Sequence, residues 1–131
     1  YNANPASMRA ALANLALVAP RGGRRIAALG DMLELGPRAP ELHAGLAEAV
    51  ETAGIDLVFL SGPMMRHLYD RLPASRRGAY APNSQVLADE VAARIAPGDA
   101  IMIKGSLGSR MKIIVDRLQQ MDRAVAQPRK A

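Results

Sequence analysis

Apolar residues recur along this chain in two alternating rhythms. Behind Asn4 and Pro5, the residues Met8, Ala11, Leu12, Leu15 and Val18 fall at helical spacing and form one stripe. Asn4 suits an N-cap and Pro5 the first helical position. Pro20 and the Gly22-Gly23 pair stop that helix. Residues 26–29, Ile-Ala-Ala-Leu, form a short unbroken apolar run between Arg25 and Gly30, the mark of a buried strand. A helix follows over about 40–53 with Leu42, Leu46, Ala49 and Val50 on its inner face. Residues 55–60 read as a second strand. Met64, Met65, Leu68 and Leu72 mark a short helix, and 78–81 a short third strand. The turn Pro82-Asn83-Ser84 caps a helix with Leu87, Val91 and Ile95 inward. Residues 100–103 give the clearest strand, and the last helix spans about 109–121, with Met111, Ile114, Val115 and Leu118 inward.

Buried strands alternating with amphipathic helices predict an α/β fold, a Rossmann-like three-layer αβα sandwich with a mostly parallel sheet. One domain is expected over residues 1–122, with a polar, frayed tail over 123–131. In such folds ligands meet the carboxyl ends of the strands. Two loops qualify best, 30–37 after the first strand and 104–109 after the last.

Composition narrows the chemistry. Of the 131 residues 50% are hydrophobic, but there is one Phe and no Trp, so the core is aliphatic. The absence of Cys rules out disulfides, thiolate catalysis and Cys-based zinc sites. No apolar run approaches the roughly 20 residues that span a bilayer, and no secretory leader pattern is present. No membrane insertion is expected. The net charge of +5 is carried by basic residues scattered along the chain, with little aromatic surface to stack on bases. A solvated surface biased toward phosphorylated ligands therefore fits better than nucleic-acid binding.

The loop Lys104-Gly105-Ser106-Leu107-Gly108-Ser109-Arg110 joins two glycines, two hydroxyls and two permanent cations ahead of a helix. Free amides at a helix start attract anions, and Arg holds carboxylates bidentately. A carboxylate or phosphate site and a plain strand-to-helix turn both fit this pattern. Neither GxxxxGK[ST] nor GxGxxG occurs, so the chain alone should not bind and hydrolyse a nucleotide. In Gly30-Asp31-Met32-Leu33-Glu34-Leu35-Gly36, Asp31 follows a buried strand. It is placed either to face a ligand or to cap the loop backbone. Glu34 is a second acid, with Met32, Leu33 and Leu35 as a hydrophobic lid in the alternative reading. His43 lies beside the apolar face of its helix, as a hydrogen-bonded structural group or a switch. His67 reads as structural. No i, i+4 histidine pair supports a metal site, so none is expected.

Three separated segments share one resemblance. Tyr1-Asn2-Ala3-Asn4-Pro5-Ala6-Ser7-Met8 resembles the hinge of the Mur ligases of the MurF type. Gly30-Asp31-Met32-Leu33-Glu34-Leu35-Gly36, with His43 downstream, is similar to their glycine-flanked loop. Ile103-Lys104-Gly105-Ser106 with Arg110-Met111 is similar to their terminal motif. The resemblance covers roughly residues 1–120. It implies a C-terminal domain whose residues 1–5 are a hinge remnant, with the N-terminal and central domains of the same chain missing and the isolated piece inactive.

The implied reaction is ATP- and magnesium-dependent. A carboxylate of UDP-N-acetylmuramoyl-tripeptide is activated as an acyl phosphate and attacked by the amine of D-alanyl-D-alanine, a step of peptidoglycan synthesis in the bacterial cytoplasm. ATP and Mg2+ would be held mainly by the missing central domain. By the same resemblance Lys104, Ser106, Arg110 and Asp31 are substrate-binding candidates, while Tyr1, Asn2, Asn4 and His43 are placed toward ATP. Two departures stand out. The acidic residue that precedes the family's hinge Tyr is not in this chain, and Leu107-Gly108 stands where many members have Arg-Ser. The rival reading is a free-standing α/β module for a small carboxylate or phosphate.

Overall fold

The structure, a computed structural model, describes residues 3–126. Helix α1 (Pro5–Ala16) starts where the sequence places it. The Asn4 side chain accepts from the Ser7 amide at 2.8 Å, and the Asn4 amide donates to the Ser7 hydroxyl at 3.0 Å. This reciprocal box satisfies two donors that a helix start would leave open. Strand β1 (Arg25–Gly30) leads to α2 (Ala39–Ala44) and α3 (Leu46–Thr52). Next come β2 (Leu57–Ser61), α4 (Met65–Arg71), β3 (Arg77–Ala81), α5 (Ser84–Arg94), β4 (Ala100–Lys104) and α6 (Lys112–Ala126).

The sheet is four-stranded and wholly parallel, in the order β3-β2-β1-β4. Strand residues divide by parity, as a pleat requires. Ala27, Leu29, Val58 and Leu60 face a core shared with Met8 and Leu12 of α1, Val50 of α3 and Leu68 of α4. Ile26, Ala28, Leu57 and Phe59 face the opposite core, with Leu87 and Val91 of α5 and Ile114 of α6. Helices thus cover both faces, which is the expected sandwich. No helix among the described residues is long and apolar enough to cross a membrane.

Four local readings change. The helix expected over 40–53 breaks at Gly45, whose carbonyl accepts from Arg9 at 3.1 Å. Glycine is a weak helix former, and a side chain from α1 holds the break. On α2 it is His43 that is fully buried, while Leu42 is only half-buried. The strand clearest in sequence, β4, is a half-buried edge, whereas β1 is buried from Ile26 to Gly30. Edge position depends on strand order, which local hydrophobicity does not encode. The last helix begins at Lys112 rather than about 109 and runs to Ala126 rather than about 121.

Candidate functional site

Strand order places the site. From β1 the chain moves outward to β2 and β3, then α5 carries it back across the sheet to β4 on the far side of β1. The order reverses between β1 and β4, so a crevice opens beyond their carboxyl ends. Leu29 pairs with Lys104, which sets the two singled-out loops side by side.

The approach of those loops needs glycine. A Cβ on Gly105 would stand 2.4 Å from the Ser109 hydroxyl and 3.1 Å from the Cα of Gly30. A Cβ on Gly30 would meet the Met111 sulfur at 2.6 Å. Three further bonds stitch the loops together. The Ser106 amide donates to the Asp31 carbonyl at 3.1 Å, and the Leu33 amide donates to the Ser106 hydroxyl at 2.9 Å. The Ser106 hydroxyl in turn donates to the Ala3 carbonyl at 3.4 Å, so the segment before α1 is tied to both loops.

Asp31 is buried, and its carboxylate accepts from the amides of Met64 at 3.1 Å and Met65 at 2.9 Å. The carboxylate therefore fastens the β1 loop to the start of α4. Gly62, at φ 103°, makes room for it, since a Cβ there would lie 2.4 Å from an Asp31 oxygen. Tyr80, which sequence reasoning passed over, donates its hydroxyl to the Gly62 carbonyl at 2.8 Å. Burial raises the Tyr80 pKa above its ordinary value, and the nearby Asp31 charge adds to the effect.

His43 is fully buried. The Met32 amide donates to its Nε2 at 2.9 Å, which leaves Nδ1 to carry the proton toward the Ala39 carbonyl at 2.6 Å. Both ring nitrogens are used inside the domain. His43 holds loop 31–36 from beneath rather than facing the crevice, and it acts on the site through Met32.

Lys104 and Arg110 differ from these anchored groups. Neither forms an ion pair or a side-chain hydrogen bond among the described residues. Arg110 sits at φ 56° and ψ 40°, left-handed backbone that costs a non-glycine residue free energy and clusters at functional sites. Glu34 in the facing loop has φ 62°. The left-handed turn at Arg110 also delays α6 to Lys112, although the start of that helix still lines one cleft with Gly105 and Ser106. A short 3-10 turn, Leu107–Ser109, fills the gap.

Arg110 stands between two clefts. One, of about 330 Å³, is lined by Gly105, Ser106, Leu107, Met111 and Lys112. The other, of about 270 Å³, includes Asp31, Gly62, Asn83, Ser84 and Ser109. A larger groove of about 370 Å³ between α1 and α3 is lined mostly by alanines and lies away from this rim. The sequence pattern points to two rim loops. The turns after β2 and β3 complete the rim, and the Asn83-Ser84 pair after the third strand was the available signal.

Of the other candidates, Tyr1 and Asn2 lie outside the described residues. Asn4 is exposed, with its side-chain oxygen committed to the α1 cap. No cluster of three or more acids and histidines occurs among the described residues. No phosphate cradle of the P-loop type is present in the sequence.

Comparison with known proteins bears on the whole arrangement. Residues 1–107 match the family model of the Mur ligase glutamate ligase domain. The UDP-N-acetylmuramoyl-tripeptide–D-alanyl-D-alanine ligase of Rickettsia prowazekii is 34% identical over 119 residues, covering 91% of this chain and 26% of that protein. The enzyme of the same name from Escherichia coli is 34% identical over 122 residues, with 92% and 26% covered. In fold, the chain is similar to the MurF ligase of Thermotoga maritima solved with ADP, at TM-score 0.76 and 23% identity, over 96% of this chain and 28% of that one. A MurF structure from Acinetobacter baumannii gives 0.74 and 23%, with 92% and 27% covered. The chain spans about a quarter of the length of the curated relatives it matches.

Proposed function

The chain belongs to the Mur ligase family as its glutamate ligase domain, and on that premise we propose that it serves as the C-terminal domain of the ligase adding D-alanyl-D-alanine to UDP-N-acetylmuramoyl-tripeptide in bacterial peptidoglycan synthesis. The names of the matched relatives support this choice of substrates. ATP and Mg2+ belong, in this reading, to a central domain upstream, which activates the tripeptide carboxylate. The present domain brings the dipeptide to it. The work is cytoplasmic, where nucleotide-linked precursors are assembled.

One observation carries the reading. At the switch point, two loops locked together by Ser106 and Asp31 hold up two cations that no described residue answers. Charge prepared in advance and aimed at an anion is how a binding site is told from a structural turn. Lys104 and Arg110 would meet the dipeptide carboxylate or the charge developing on the acyl phosphate. Ser106 keeps their loop in register with the hinge side through Ala3. Asp31 and His43 support the rim, and Tyr1, Asn2 and Asn4 take the hinge position.

The test is ligation by the complete polypeptide with D-alanyl-D-alanine present or absent, beside residues 1–131 alone. Product is expected only from the complete polypeptide with the dipeptide, and no ATP hydrolysis from residues 1–131. Robust ATPase activity of the 131-residue chain, or a complete polypeptide that ligates other amino acids and not the dipeptide, would overturn the reading.

A further inference from the structure

Strand β3 carries an irregularity that decides where one aromatic ring goes. Arg77 pairs with Val58, but Ala79 pairs with Phe59, so Gly78 is an extra residue between them. A bulge of this kind shifts everything beyond it by one position, and in a pleated strand that turns each side chain to the other face. Without the extra residue Tyr80 would pair with Ser61, on the face of Phe59 and α5. With it Tyr80 stands beside Leu60, on the face that α4 covers. Only glycine suits the bulge, because a Cβ on Gly78 would lie 2.9 Å from the Phe59 ring.

The ring is then held from outside. Tyr69 of α4 packs on it at 5.9 Å between centroids, and the Arg66 guanidinium stands 5.3 Å from its centre. Arg66 is fixed in turn by Asp70 at 3.1 Å. From this position the Tyr80 hydroxyl donates to the Gly62 carbonyl at 2.8 Å, while the Gly62 amide donates to the Ala81 carbonyl at 3.2 Å. Strand β3 therefore grips both backbone groups of Gly62. Further along the turn, the amides of Met64 and Met65 go to Asp31. The Ser61 hydroxyl donates to the sulfur of Met111, the neighbour of Arg110, at 3.5 Å. Residues 61–65 thus join β3, the Asp31 loop and the Arg110 segment. Ser61, Gly62 and Pro63 form one wall of the cleft of about 270 Å³.

We infer that Tyr80 is a positioning residue for this cleft, one that fixes the 61–65 turn against Asp31 and Arg110 through the Gly62 carbonyl and so sets the width offered to the incoming substrate. The inference rests on the proposed function and deepens it. Gly62 has no side chain to hold its place by packing, and its φ of 103° takes it out of regular structure. The tyrosine hydroxyl supplies the missing constraint, and a site held by such supports keeps its geometry within about 0.5 Å. Burial, then the Asp31 charge, keeps the Tyr80 pKa above its ordinary value, so the hydroxyl remains a donor throughout the neutral range. Tyr80 acts through the turn and not on the reacting atoms. Its loss should therefore weaken binding and spare the chemical step.

The experiment compares Tyr80→Phe with Tyr69→Phe. Each removes one hydroxyl from the same pair of rings, but the Tyr69 hydroxyl bonds to no described residue. In the complete polypeptide Tyr80→Phe should raise the dipeptide KM roughly fivefold and leave kcat and the KM for ATP unchanged. Tyr69→Phe should change none of them. In the 131-residue chain, hydrogen exchange at the Met64 and Met65 amides should quicken by about the same factor in Tyr80→Phe and stay as it was in Tyr69→Phe. An unchanged dipeptide KM, a fall in kcat alone, unchanged exchange at Met64 and Met65, or equal effects of the two substitutions would overturn the inference. Exchange is read without ligation. A complete polypeptide that fails to ligate the dipeptide would therefore end the proposed function, while exchange alone would still uphold or overturn the hold of Tyr80 on the turn.

Discussion

The two ends of the sheet are built from the same devices and finish differently. Beyond the amino ends of β1 and β4, the Asp99 carboxylate accepts from the backbone amides of Arg24 and Ala96, each at 2.9 Å, and pairs with the Arg24 guanidinium at 3.0 Å. Gly23 lies so close to Gly98 that a Cβ would stand 2.3 Å from backbone carbon. Beyond the carboxyl ends, Asp31 also takes two amides, and Gly30 and Gly105 also meet closely. There the likeness stops, because Asp31 has no ion-pair partner among the described residues, and neither has Lys104 or Arg110. A fold is closed equally well by either arrangement. Cations without an ion pair among the described residues stand at both ends, Arg21 and Arg25 at one and Lys104 and Arg110 at the other; at the carboxyl end the rim also opens a cleft lined by both Asp31 and Arg110, where the proposed site lies.

The contrast is most easily broken by glycine substitution. Gly23→Ala should destabilise by about 3 kcal/mol in chemical denaturation, because its new methyl meets backbone that cannot step aside. Gly105→Ala should cost about 1 kcal/mol, since the nearest atoms are side chains of Ser109 and Met111. Equal losses would mean that the two ends are equally rigid.

His43→Ala comes next, at about 2 kcal/mol by the same measurement, because it empties buried space and strands the Met32 amide. Retained stability would show that loop 31–36 needs no support from below.

A smaller effect is set by pH. The Arg24 guanidinium holds the Asp99 carboxyl below its ordinary 3.8, helped by amide bonds from Ala96 and Arg24. A depressed carboxylate stabilises the fold above its unfolded value and loses that contribution as pH falls through the folded value. Melting temperature should therefore drop as pH descends from about 4, and Asp99→Asn should flatten that descent. An unchanged acid limb in the variant would place the loss elsewhere.

Least of all should Lys104→Ala and Arg110→Ala affect folding, each within about 0.5 kcal/mol. Each should nevertheless lower ligation by the complete polypeptide roughly tenfold. Full activity with an unchanged KM for the dipeptide would end their assignment to the site.

Much of this was legible in the residues. Period and punctuation located the helices and strands, Asn4-Pro5 and Asn83-Ser84 marked helix starts, and the glycine-flanked loops after β1 and β4 drew attention before any geometry. These features are local, set within a few residues by backbone sterics and side-chain period. What lay beyond local reading was partnership. Only packing decided that β4 is an edge beside β1, that Asp31 turns inward to α4, that His43 rather than Leu42 enters the core, and that Ser84 shares a cleft with Arg110. Those outcomes depend on contacts between residues far apart in the chain. Their closure is decided by the whole core at once, and no short stretch of sequence carries that information.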